Sequence, residues 1–330
     1  IPGFCMFLGV NSFANNFITG VEIFVFGFVC ASCQGGFFSL VGNFPLAIIV
    51  AFSTGQAISG ILMNVIEYMV LFFIEGDEFG AWIFFSVSAL ILLICLVLLI
   101  TSYKSEFFNH HLKSLEGNTI TNQSLIETTN QTIESESPTN QEQMALVSEE
   151  KKEVGFIGMF KLLYDLDFLI CYNYIITFAL YPNVCFSQYF FGFDKYKTNT
   201  ILTIYNIFDT VGRYLVTNIK PTKRLTYFVI LVRTIFLFSL IFNYALEKIY
   251  GCSLTTTSIL LVINVILFAA TNGMGTTFCF GLAPSLVEDS LKGQAGGSIG
   301  FFTVLGIFLG SCVAFLTGSI MNKIGVDIKI

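Results

Sequence analysis

Residues 23 to 66 carry no charged side chain. A bilayer core takes about 20 apolar residues per helical crossing, because every backbone amide must find its partner inside the segment. This run is too long for one crossing, and Gly42, Asn43 and Pro45 divide it, which predicts helices near 17–41 and 45–73. Further apolar stretches predict crossings near 80–101, 157–186, 199–219, 225–246, 257–283 and 294–321, about eight in all. The expected fold is therefore an all-α polytopic membrane protein. Composition agrees: 55% of residues are hydrophobic and 12% charged, where a soluble domain has about a quarter charged. Mean hydropathy is +0.77.

Between Lys104 and Glu153 the sequence turns to Ser, Thr, Asn, Gln and Glu, a mixture without enough apolar surface to fold. The expected organisation is residues 1–103 as one group of helices, 104–153 as a disordered linker and 154–330 as a second group of five helices. Basic residues Lys104, Lys113, Lys151, Lys152, Lys161, Lys220, Lys223, Arg224 and Lys292 fall on one set of connections. Glu75, Asp77 and Glu78 fall on the other, with Lys195, Lys197 and Lys248. The positive-inside rule places the linker in the cytoplasm and the C-terminus, around Lys329, outside. The sequons at Asn122 and Asn130 would then face away from any glycosylating lumen. The chain opens on Ile1-Pro2-Gly3 without an initiator Met, and Phe4 to Val10 read as the end of a helix, so an N-terminally incomplete copy is expected.

Several function classes are poorly served by these residues. A net charge of -6 gives no basic footprint for nucleic acid. His110 and His111 are the only histidines and both lie in the linker, which leaves no His-based triad or metal site in the apolar segments. No Walker-type phosphate loop occurs. Eight of the nine cysteines fall in apolar stretches as packing residues, and Cys252 lies near a polar loop. Cys30 and Cys33 have CxxC spacing, but no second pair or nearby His accompanies them. No enzyme, cofactor or metal is expected.

Ionisable groups within spans are costly and mark candidate sites. Asp209 and Arg213 stand four residues apart on one helical face and can neutralise each other. The pair either locks helices together or offers an acceptor and a donor to the hydroxyls of a polar, uncharged ligand. Gln56, Gly60, Met63 and Glu67 form a stripe at helical spacing that suits a cavity wall or a helix contact. Glu22 and Gln34 are further polar residues of the spans, and Glu22 or Glu67 could titrate or pair. Arg233 lies about two turns into its span and is expected to snorkel to the cytoplasmic face in a structural role. The small pairs Gly296 with Gly300, and Gly306 with Gly310, favour close helix packing.

The segment Asn206-Ile207-Phe208-Asp209, followed by Gly212-Arg213, resembles the signature of the eighth helix in the equilibrative nucleoside transporter family. Phe268-Ala269-Ala270-Thr271-Asn272-Gly273 with Phe280-Gly281 and Pro284 resembles its tenth helix, and Gln294-Ala295-Gly296 the start of its eleventh. Gln34-Gly35 with Phe38, and Ser53-Thr54-Gly55-Gln56 with Gly60, are similar to its fourth and fifth helices. The chain departs from that pattern at Met274, where an aromatic is common, and at the acidic Leu286-Val287-Glu288-Asp289.

The resemblance implies a major-facilitator-like bundle of eleven helices, of which this chain would hold the end of the third and the fourth to eleventh. It implies contacts from Asp209 and Arg213 to ribose and from Gln34 beside the base. Asn272 and Gln56 complete the expected substrate-binding set. The expected function is facilitative transport of nucleosides or nucleobases by alternating access, in a plasma membrane or an organellar one. The alternatives are a non-transporting scaffold subunit and a carrier of another polar solute. The expected partners are the nucleoside or nucleobase substrate and the lipid bilayer, with no nucleic acid.

Overall fold

In the computed structural model, residues 12–73, 77–106, 108, 155–181, 183–192 and 196–323 are described. Most of the linker, both its sequons, His110, His111, Glu75 and Lys329 lie outside them. Among the described residues every regular element is helical. The long helices are α1 (Ser12–Val41), α2 (Leu46–Phe73), α3 (Asp77–Tyr103) and α4 (Phe156–Leu180), then a short α5 (Asn183–Phe186), α6 (Lys197–Leu215), α7 (Lys223–Lys248), α8 (Leu254–Leu282) and α9 (Lys292–Lys323).

Local chemistry sets the helix ends. The α1–α2 break falls at Gly42–Pro45, where the Asn43 side-chain amide turns back to donate to the Ser39 carbonyl at 3.0 Å. Thr222 caps α7, its hydroxyl accepting from the Leu225 amide at 3.3 Å. The helix that opens the second group stops at Leu180, close before Pro182 in the sequence, so the expected span to 186 is a long helix followed by the short α5.

Seven helical segments among the described residues are long and apolar enough to cross a membrane. The eighth expected crossing, near 199–219, is α6, and it is not one of the seven. Its Asn, Thr, Asp and Arg residues lower its hydropathy because it lies inside the bundle, between α2 and α8, where polar groups find protein partners. At the other extreme α3 has Phe79, Trp82, Phe85, Leu92 and Leu98 all exposed. Apolar surface on that scale suits hydrocarbon rather than water.

Glycines bring the helices together. A Cβ at Gly212 would collide with the Ala270 carbonyl, and one at Gly273 with the Asp209 carbonyl, so α6 and α8 meet backbone to backbone. Gly306 and Gly310 do the same for α9 on α4, where an added Cβ would stand 2.9 Å from the Cβ of Tyr174 and of Phe178, respectively. Gly296 abuts the Phe38 carbonyl and joins α9 to α1, and the Phe38 ring stacks on Phe280 of α8 at 3.9 Å.

Two large apolar clusters fill most of the interior, beside a smaller one of Val50, Val216, Val229 and Phe278. One gathers Met159, Leu163, Leu166, Ile170, Ile230, Cys279 and Phe280, and the other Ile176, Leu180, Tyr205, Leu240, Leu261, Val265 and Phe268. Helices α4, α7 and α8 each pass from one cluster to the other, and each carries polar residues at the crossover: Asn173 and Thr177, Arg233, and Asn272 and Thr276. A polar layer therefore lies between two apolar ones, in the middle of the bundle.

Candidate functional site

The polar layer is built on α6. Its i, i+4 spacing puts Asp209 and Arg213 on the face that packs against α2 and α8, and the Gly212–Ala270 and Gly273–Asp209 contacts draw that face inward. Arg213 Nε meets Asp209 Oδ2 at 2.9 Å, with the residues 6% and 4% exposed. An ion pair this buried is supported by hydrogen bonds to its remaining polar atoms. Arg213 Nη1 donates to the Ser53 carbonyl at 3.0 Å and to Ser53 Oγ at 2.9 Å. Ser53 Oγ lies 3.0 Å from Thr277 Oγ1, which ties α2 to α8.

On the far side of the carboxylate, Asn272 Nδ2 donates to Asp209 Oδ1 at 2.8 Å. Asn272 Oδ1 accepts from Asn173 Nδ2 at 3.0 Å and from Thr177 Oγ1 at 2.9 Å. These partners fix the amide's orientation, since a flipped amide would set oxygen against carboxylate oxygen and nitrogen against nitrogen. The network thus runs without a break from α2 through α6 and α8 to α4. Arg213 Nη2 makes no hydrogen bond to any described residue.

The expected snorkelling of Arg233 is overturned. It is fully buried, ten residues past Lys223 and so about 15 Å along α7, near the middle of a crossing. There it donates to Thr177 Oγ1 at 2.6 Å and to the Phe268 carbonyl at 2.7 Å.

Of the expected binding residues, the structure brings Asp209, Arg213 and Asn272 together. Gln34 on α1 and Gln56 on α2 are half-buried, and no hydrogen bond joins either to the network. Gln56 does lie on the stripe whose Gly60 faces α6, where an added Cβ would stand 2.9 Å from Asn206 Nδ2; that stripe is a helix contact at this point. Glu22 and Glu67 are also half-buried. Sequence reading missed Ser53, Asn173 and Thr177 as members of the network. Asn173 carried a signal, as an amide inside an apolar span, but nothing local to α4 reveals what it meets. Among the described residues no three His, Cys, Asp or Glu side chains converge as a metal site would need, and Cys30 and Cys33 are free and exposed on α1.

Residues 21–318 match the family model described as nucleoside transporter. Two curated relatives are both called equilibrative nucleoside transporter 1. The human protein is 22% identical over 334 aligned positions, covering 92% of this chain and 69% of its own length. The rat protein is 22% identical over 333 positions, covering 91% and 68%.

Proposed function

Because this chain belongs to the nucleoside transporter family, we propose that its polar layer is the place where a nucleoside is held as it crosses the bilayer. The chain is a multi-pass integral membrane protein. Its function is facilitative nucleoside transport, in keeping with both relatives. Such a carrier moves solute down its own gradient and performs no chemistry on it.

One observation carries the site assignment. The buried pair Asp209–Arg213 leaves a guanidinium nitrogen without a partner among the described residues. Ribose offers vicinal hydroxyls that both donate and accept, so one can donate to the Asp209 carboxylate while its neighbour accepts from Arg213 Nη2. Gln34 and Gln56, half-buried on α1 and α2, are proposed to face the base from the opposite side, and nucleobases are the proposed second substrate class.

The helices before the linker and those after it are the two bodies that rock around this layer. Supporting that division, they meet chiefly where α1 packs on α9 and α2 on α6, with smaller contacts of α1 and α2 on α8, and the α2–α6 contact contains the Arg213–Ser53 bonds. Cytoplasmic placement of the linker and residence in the plasma membrane complete the proposal.

The test is uptake into proteoliposomes containing the full-length protein. Labelled uridine should equilibrate without an imposed ion or ATP gradient, and unlabelled ribonucleoside should compete better than free base. Uptake indifferent to ribonucleoside competition would sink the assignment.

A further inference from the structure

Arg233 has no carboxylate within ion-pair distance among the described residues, although it is fully buried. Its guanidinium instead divides between two targets. Nη1 donates to the Phe268 carbonyl at 2.7 Å and reaches Thr271 Oγ1 at 3.2 Å. In a regular α-helix the carbonyl of residue 268 is also the acceptor for the amide of residue 272. Nη2 donates to Thr177 Oγ1 at 2.6 Å, and that hydroxyl lies 2.9 Å from Asn272 Oδ1. The guanidinium carbon lies over the Phe268 ring, 4.4 Å from its centroid. Both arms therefore converge on Asn272: one grips the backbone turn that carries it, the other the hydroxyl that holds its side-chain oxygen.

We infer that Arg233 is a positioning residue for sugar recognition, holding Asn272 so that its amide donates to Asp209 and leaves that carboxylate aimed at the ribose. The inference rests on the reading that Asp209 and Arg213 hold the sugar. With Nη2 donating to the Thr177 oxygen, the single Thr177 proton is left for Asn272 Oδ1 or for the Asn173 carbonyl at 2.7 Å. Without Arg233 the Thr177 oxygen loses its donor and the Phe268 carbonyl its side-chain partner, so Asn272 gains freedom and Asp209 Oδ1 loses a fixed donor. Lysine cannot substitute fully, because a single ammonium does not span two acceptors held in a planar fork.

The experiment compares uridine with 2′,3′-dideoxyuridine, which lacks the two hydroxyls, by calorimetry on the purified full-length transporter. The variants are Arg233→Met, Arg233→Lys and Asp209→Asn, each checked by thermal melting. The preference for uridine should fall at least fivefold in Arg233→Met and by an intermediate amount in Arg233→Lys, with dideoxyuridine affinity within twofold of the parent. If Arg233→Met does not fold, Arg233→Lys carries the comparison. An equal loss for both ligands overturns the inference in favour of a purely structural role. An unchanged preference in both Arg233 variants, beside a lost preference in Asp209→Asn, overturns this inference alone. An unchanged preference in Asp209→Asn overturns the sugar reading beneath it.

Discussion

Asn272 of α8 donates its side-chain amide to the Asp209 carboxylate of α6 at 2.8 Å, and the next residue, Gly273, lies against the backbone carbonyl of the same Asp209. The two contacts depend on each other. Without the glycine the helices would stand too far apart for an amide as short as asparagine's to reach, and without the amide the carboxylate would keep only Arg213.

Removing one member of the Asp209–Arg213 pair should cost about 3 to 5 kcal/mol, because the other charge is left buried and unpaired. Replacing both with Leu should restore much of that stability. The double variant is nevertheless expected to bind ribonucleoside at least tenfold more weakly, with a smaller loss for free base. Thermal melting and equilibrium binding on the same preparation separate the two effects, and normal nucleoside binding by the double variant would remove the pair from the site.

Ser53→Ala removes the hydroxyl that accepts from Arg213 Nη1 and meets Thr277 Oγ1, and should cost only about 1 kcal/mol because the guanidinium keeps an acceptor. The Ser53 backbone carbonyl still accepts from Arg213 Nη1 at 3.0 Å after the hydroxyl is gone. Asn272→Ala should cost about 1.5 to 3 kcal/mol, because a charged acceptor loses its donor. Finding the two equal in a denaturation series would contradict this ordering.

Gly212→Ala and Gly273→Ala should each destabilise strongly, since the new methyl meets backbone rather than a side chain that can swing away. Gly27→Ala and Gly55→Ala place their methyls in open space and should be tolerated. Expression and melting temperature of the four variants give the comparison; a tolerated Gly273→Ala would mean that α6 and α8 are not in backbone contact.

The charge distribution predicts that the α7–α8 connection faces outward and the α6–α7 connection inward. Tyr250 and Lys220 are exposed on those connections. In a background lacking Cys252, a maleimide that cannot cross membranes should modify Tyr250→Cys in intact cells and leave Lys220→Cys untouched until the cells are opened. The opposite pattern would invert the proposed topology.

The sequence by itself determined what is local. Runs of apolar residues mark helices because each crossing must satisfy its own backbone, and Gly42, Asn43 and Pro45 end one helix and begin the next wherever they occur. The Asp209–Arg213 contact is also local, since residues four apart in a helix must share a face. The family was legible for the same reason, its motifs being short and contiguous.

Tertiary structure decided everything that depends on how one helix is turned and slid against another. Asn173, Thr177 and Ser53 are ordinary polar residues of their own helices, and only the packing of α4 on α8 and of α2 on α6 aims them at a common centre. Arg233 shows the limit most clearly. From its distance to Lys223 alone, a long cation in an apolar helix is expected to reach for the interface. It turns inward because α8 presents a carbonyl and α4 a hydroxyl within its reach, and those groups are 35 and 56 residues away in sequence. Hydrogen bonds of that separation follow from interhelical register, which glycine contacts set and no single segment encodes.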